Sequence, residues 1–357
     1  MNHIERIKRL RGSFTEDFEA MLITNPRNVR YLCGFSGSSG TMLITRDRAV
    51  FFTDFRYQEQ SAIQVGKTAR IVVFKKSLVD SLRKEIKKFK ITSLGIEKSM
   101  SLNLFLSYAE ELKIDLIPTQ SLVEGLREYK DVDELVCLKK AFAIADAAFA
   151  DLMKVIKPGM RETEVAAHLE FFMKMRGSEM PSFDTIIASG PNASKPHAQP
   201  SSRKIKVGEM VKIDFGAVYG GYHSDMTRTI FMGKATAKFK KVYNTVLEAQ
   251  TAAVKALKVG IACNRVDAVA RKVITDAGYG EYFGHGLGHS LGLDVHEAPA
   301  LNKKCKDKVE PGMAFTVEPG IYLPGWGGVR IEDVYVVKPD GLLRLTATPN
   351  KLLELDF

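Results

Sequence analysis

Two stretches of this chain place acids in the middle of what otherwise reads as buried strand. VKIDFGAVYGGYHSDMTRTIF (211–231) and AFTVEPGIYLPGWGGVRIEDVYVV (314–337) each show two apolar-alternating arms around a glycine-rich turn. In the first, a turn at Gly220-Gly221 pairs Asp214 with Thr227. Asp225 then shares a face with Asp214 as its diagonal neighbour. In the second, Glu318 and Glu332 are symmetric about the Gly325–Gly328 turn region and meet across the hairpin. Carboxylates this close repel unless a cation or a shared proton lies between them. Burying them is costly unless they are paired or metal-bound. The chain must therefore form both hairpins and bring positive charge to them.

The segment FGHGLGHSLGLDVHE (283–297) supplies a nitrogen ligand. It holds His285, His289 and His296, three of the chain's seven histidines, and is too glycine-rich for a good helix or apolar strand. Taken together, Asp214, Asp225, His289, Glu318 and Glu332 are four carboxylates and one imidazole, a set that neutralises two divalent cations. Oxygen-rich ligation with one nitrogen suits Mn²⁺, Co²⁺, Fe²⁺ or Zn²⁺. Two such ions can hold a bridging hydroxide nucleophile and polarise a carbonyl. Structural zinc is not expected, because Cys33, Cys137, Cys263 and Cys305 are scattered and form no CxxC. Reduced thiols in a cytoplasmic protein are the expectation.

The pattern along the chain is α+β. Residues 20–99 alternate strand candidates with a solvated basic helix face at SLRKEIKKFK (81–90), and Asn25-Pro26 reads as a turn. The pattern changes near Glu124–Asp131, which sets an N-terminal domain at 1–125 and a second domain at 126–357. Asp131 and Glu134 form a capping box for a long helix that Pro158-Gly159 ends. A second helix follows to Gly177, and a further helix pair spans about 237–258 and 264–277. Helix pairs alternating with antiparallel strands indicate an antiparallel sheet flanked by helices, preceded by a smaller α/β domain. The net charge of +10 is concentrated in the first third without any nucleic-acid motif, so no nucleic-acid partner is expected. No apolar run reaches membrane-spanning length, and the charged start MNHIERIKRLRG does not read as a signal peptide.

The settings "IDFGA", "SDMTRT", "GHGLGHSLGLDVHE", "TVEPGIY" and "GVRIED" together resemble the pita-bread metallopeptidases, in the aminopeptidase P and prolidase branch. "PSFDTIIASGPNASKPHAQP" (181–200) resembles the same branch, while "NPRNVRYLCGFSGSSG" and "FTDFRYQEQS" resemble its creatinase-like N-terminal domain. The resemblance implies that Asp214 and Asp225 hold one metal, His289 and Glu318 the other, with Asp225 and Glu332 bridging. Mn²⁺ is the foremost candidate. It implies that Glu318 shuttles a proton and that His197, His285 and His296 bind substrate and the developing oxyanion. Tyr322 and Arg330 are implied substrate contacts. One departure is Ser290, where many relatives have glycine after the ligand histidine. His3, near a terminus expected to be mobile, His168 and His223 receive structural roles only.

The implied activity is a dinuclear-metal exopeptidase that cuts before proline by a metal-bridging hydroxide. The main expectation is an Xaa-Pro aminopeptidase acting on peptides with proline second. The alternative is an Xaa-Pro dipeptidase, which needs a cation such as Arg56 or Arg330 for the prolyl carboxylate. A methionine aminopeptidase-like enzyme and a non-catalytic pita-bread binding protein rank below both. A homodimer is expected from the same resemblance.

Overall fold

The computed structural model describes all 357 residues. They divide into two compact units, Met1–Arg127 and Glu128–Phe357.

The first unit is built on a six-stranded mixed sheet. Its order is Arg70–Val73, Ala49–Thr53, Thr41–Thr45, Ala20–Ile23, Ser93–Glu97, Asp115–Thr119. A hairpin turning at Arg46–Arg48 joins Thr41–Thr45 to Ala49–Thr53. The basic run is the outer face of the helix Leu78–Phe89, which buries Leu82 and Ile86. Two local expectations change. Asn25-Pro26 opens a helix, Pro26–Cys33: the Asn25 side chain accepts from Arg27 N, and proline occupies the first helical turn, where its missing N–H costs nothing. The N-terminus is also ordered, as a helix His3–Gly12 whose His3 Nδ1 bonds Tyr31 O at 3.0 Å.

The second unit repeats one arrangement twice. The helices Val132–Val155 and Glu162–Met175 pack through Ala145, Phe149, Leu169 and Met173 onto Ile187, Ile213 and Ile230. Those residues belong to a four-stranded sheet that includes Met210–Phe215 and Met226–Met232. The Asp131–Glu134 capping box is present at the start of the first helix. The helices Ala237–Ala256 and Cys263–Asp276 pack through Val246, Ala249 and Val266 with Phe315, Val317 and Val337. These strand residues lie in a five-stranded antiparallel sheet containing Gly288–Ser290, Ala314–Val317 and Asp333–Lys338.

Both acid-bearing hairpins form in the anticipated register. Asp214 pairs with Thr227, and the same register continues outward to Tyr219–Tyr222 around Gly220-Gly221. In the second, Val317 pairs with Asp333 and Gly320 with Arg330, so Glu318 and Glu332 occupy equivalent positions in the two arms. Asp214 stays within its ladder, but regular pairing breaks at the other three acids: Asp225 lies just before its strand, and Glu318 and Glu332 lie between two ladders. Breaking the ladder there frees the backbone to turn carboxylates inward. Gly216 is part of the first break, because a Cβ on it would meet Ser224 O at 1.8 Å.

Candidate active site

The two hairpins are stitched together across the site. Glu332 N donates to Thr227 O (3.1 Å), Arg330 N to Thr229 Oγ1 (3.1 Å), and Thr229 Oγ1 to Arg330 O (2.9 Å). The Thr227 hydroxyl is a two-way link. It donates to Glu332 Oε2 at 2.7 Å and accepts from Arg330 Nε at 2.9 Å. Beside them the glycine-rich histidine segment runs as the short strand Gly288–Ser290, held by His289 N donating to Thr316 Oγ1 at 3.0 Å. Only glycine fits before His289: a Cβ on Gly288 would lie 2.0 Å from Thr316 O.

The result is a cavity of about 550 Å³ lined by His197, Asp214, Asp225, His285, His289, His296, Glu318, Arg330 and Glu332. Of the residues anticipated from the sequence, all five expected metal ligands, His197, His285, His296 and Arg330 reach it; Tyr322 stands one bond behind through Arg330 and His285, and Arg56 does not line it. Donor atoms of Asp225, His289 and Glu332 all lie within 4.8 Å of one another. His289 Nε2 is 3.4 Å from Glu318 Oε1 and 3.6 Å from Asp225 Oδ2. Its Nδ1 faces the Ser290 carbonyl at 3.0 Å. A carbonyl only accepts, so Nδ1 carries a proton. Nε2 faces the acids, where burial opposes but Glu318 favours its protonated form, and it is the nitrogen that would ligate a cation once that proton leaves. Ser290 itself is buried, with a hydroxyl that has no partner.

The charges show what the cluster lacks. Burial first, then Glu332, Asp214 and Glu318, pushes the Asp225 carboxyl well above its ordinary range. Burial first, then Glu318 and Asp214, does the same to Glu332. Glu318 behaves oppositely: burial opposes ionisation, but the His289 hydrogen bond and charge hold it down at about 2. Asp214 gives one oxygen to the Arg330 guanidinium. Its Oδ1, like Glu332 Oε1, is buried with no hydrogen-bond partner. Buried acceptors without donors are rare and costly, and hard oxygen acceptors beside an imidazole are what a divalent cation satisfies. The residues present therefore fit a metal centre.

The remaining side chains form the walls. Arg330 Nη1 donates to Tyr322 Oη (2.9 Å) and Pro196 O (3.2 Å), so every guanidinium nitrogen is engaged. His285 has Nδ1 on Gly286 O (2.8 Å) and Nε2 on Tyr322 Oη (3.0 Å). It touches the cavity while both ring nitrogens serve the protein. Burial lowers its pKa, and burial followed by the His289 charge lowers that of His296. The His296 ring lies 4.4 Å, centroid to centroid, from that of His289. Burial lifts the Tyr322 hydroxyl to about 12. Arg56, the other cation anticipated for a substrate carboxylate, belongs to the first unit and forms a two-pronged pair with Asp54 at 2.9 Å. His223, expected only to be solvated near a turn, contacts Ser182 O through Nδ1 at 3.2 Å.

Sequence reasoning missed three contributors. Thr227 and Thr316 looked like ordinary strand threonines. Lys212, two residues before Asp214 and therefore on its face of the strand, was a visible signal: a lysine in a fully buried apolar arm.

Comparison with known proteins identifies the family. Residues 136–339 match Metallopeptidase family M24, and residues 6–129 match the Creatinase/Prolidase N-terminal domain. An Xaa-Pro dipeptidase of Pyrococcus horikoshii is 39% identical over 356 residues, covering 98% of this chain and 99% of the relative. The structure of an Xaa-Pro dipeptidase from Bacillus anthracis superposes with a TM-score of 0.96 at 44% identity, covering 99% of this chain and 100% of that one. An X-Pro aminopeptidase from Thermotoga maritima gives 0.92 at 36% identity, covering 98% and 100%. No helix is long and apolar enough to cross a membrane. The chain belongs to metallopeptidase family M24, with the pita-bread fold and a creatinase/prolidase N-terminal domain.

Proposed function

We propose that the chain is an Xaa-Pro peptidase whose substrates are Xaa-Pro dipeptides, a reading that more of the relatives' names support than any other specific activity. This differs in emphasis from the aminopeptidase expected first. The observation that carries a metal-dependent hydrolase is the pair of buried, partnerless oxygens, Asp214 Oδ1 and Glu332 Oε1, in one cavity with the Asp225–His289–Glu332 cluster. Asp214, Asp225, His289, Glu318 and Glu332 would hold two divalent ions, Mn²⁺ foremost, with Co²⁺, Zn²⁺ and Fe²⁺ as alternatives. Bound there, the ions supply an activated water and polarise the scissile carbonyl.

The protein's own groups do the rest. Glu318, ionised at neutral pH, accepts the proton of the attacking water on a carboxylate oxygen and passes it to the departing proline nitrogen. His197 and His296 line the cavity with rings that no protein hydrogen bond engages, so they can face the substrate carbonyl and the oxyanion. His285 and Tyr322 act together, holding Arg330 against Asp214. Proline after the cut leaves the scissile bond without an N–H and fixes φ, so a site that grips the carbonyl and the N-terminal residue loses nothing there. A homodimer belongs to the same reading and is tested by sedimentation.

A second reading, cleavage of longer Xaa-Pro peptides, is favoured by one feature. Among the cavity's lining residues the sole arginine or lysine is Arg330, and all its nitrogens are committed. The lining also includes Asp184, Gln199, Ala300 and Asn302, which accommodate a peptide carbonyl more readily than a carboxylate. Product analysis of Mn²⁺-loaded protein given equal Ala-Pro and Ala-Pro-Ala decides. Cleavage of the dipeptide alone supports the first reading, and release of Pro-Ala the second. If neither is cut, both fail.

A further inference from the structure

We propose that Lys212 is a positioning residue: through the main chain of residues 195–197 it sets where the His197 imidazole stands in the cavity. The inference rests on the proposed substrate-side role of His197.

Lys212 is fully buried in the strand Met210–Phe215, between Ala188 on one neighbouring strand and Thr229 on the other. Lysines are seldom buried completely, because removing an ammonium from water is costly unless its donors find acceptors. Here the donors go to main chain. Nζ bonds Lys195 O at 2.6 Å and Pro196 O at 3.1 Å, the two carbonyls that precede His197. Nζ also lies 5.1 Å from the centroid of the Tyr322 ring.

The segment needs this anchor. Lys195 N bonds Asn192 O at 3.0 Å, and Ser201 N bonds Glu162 Oε2 at 3.0 Å. Between those points Pro196 and Pro200 have no N–H, and residues 197–199 make no main-chain hydrogen bond of their own. The His197 ring is exposed and held by no hydrogen bond, so its location follows from its backbone. Arg330 shares Pro196 O with Lys212 but is also tied to Asp214, Thr227 and Tyr322. Lys195 O has Lys212 as its side-chain donor. A neutral amine retains N–H groups for both carbonyls, so the clamp does not depend on the charge of Lys212.

The test is a double-mutant cycle with Mn²⁺-loaded full-length enzyme and Ala-Pro as substrate. Lys212→Met keeps the aliphatic stem and removes the donors. It is expected to lower kcat roughly tenfold to a hundredfold, the scale of an ångström-sized misplacement, with metal content unchanged. In a His197→Ala background the same substitution should change kcat less than about twofold, because the displaced ring is already gone. In ¹⁵N-histidine spectra of the metal-free protein, Lys212→Met should shift the His197 ring signals and leave those of His168 in place. Equal losses in both backgrounds, or loss of metal in Lys212→Met, overturn the inference and leave the proposed function standing. Normal turnover in His197→Ala overturns the role of His197 and the inference with it. Should Lys212→Met not fold, Lys212→Gln, whose shorter side chain cannot reach both carbonyls, carries the same comparison.

Discussion

Thr227→Val removes the hydroxyl that joins the two hairpins while keeping nearly the same shape and volume. In the native protein that hydroxyl donates to Glu332 and accepts from Arg330, and Thr227 is fully buried. Arg330 remains charged, and one hydrogen bond to a buried charged group is worth about 1.5–3 kcal/mol. The bond to Glu332 adds less in metal-free protein, where that carboxyl is pushed towards its protonated form. The total is about 3 kcal/mol of destabilisation. Trp326, the single tryptophan, sits in the loop of the second hairpin and reports on this unit alone. With a guanidinium m-value of about 5 kcal/mol/M for a unit of this size, the fluorescence midpoint of the chelated protein should fall by about 0.6 M. The unit's unfolding must first be shown to be a single transition. A midpoint within about 0.1 M of the parent would refute the claim that Thr227 links the hairpins energetically.

Other outcomes follow from the same geometry. His296→Ala should lower turnover while leaving metal content intact, and loss of metal on analysis would mean that substrate and ligand histidines have been exchanged. Lys130→Met removes a cation whose side chain is fully buried, 2.9 Å from Glu297 Oε2, and should cost about 3 kcal/mol in the same Trp326 assay; an unchanged midpoint would count against the pair. The metal-free protein should lose stability as pH rises. Asp225 and Glu332 have folded-state pKa values raised above the unfolded ones, so between the two the native state binds more protons. Their contribution is complete below about pH 4 and is lost as pH rises through the folded values. Glu318, held at about 2, contributes the opposite way and only at the acid end. His285 and His296, lowered on folding, act oppositely up to about pH 6.5, so the test lies above them: chelated protein that gains stability between about pH 7 and pH 9 would contradict this.

The acids were legible because hairpin register is arithmetic: positions symmetric about a glycine turn must meet. Asp214–Thr227 and Glu318–Glu332 could be placed before any coordinates were known. The breaks in pairing at Asp225, Glu318 and Glu332 were not legible, since they depend on contacts such as Gly216 against Ser224 O and Gly288 against Thr316 O, between segments separated in sequence. The helix Pro26–Cys33 was missed for a local reason: Asn-Pro serves equally as a turn and as a helix start, and tertiary packing of Val29, Tyr31 and Leu32 decides. His197, His285 and His296 could be gathered into one site by resemblance. Their division could not be foreseen, because the occupation of His285 Nε2 depends on Tyr322, thirty-seven positions away.

The central claim is that this carboxylate–imidazole cluster is a two-metal centre. Metal analysis by mass spectrometry after Mn²⁺ loading and desalting, on the parent and on Asp225→Asn, tests it most directly. The account predicts two ions per chain in the parent and fewer than two in the variant, with peptidase activity lost. No retained metal in the parent, or two ions with near-normal turnover in Asp225→Asn, would contradict it.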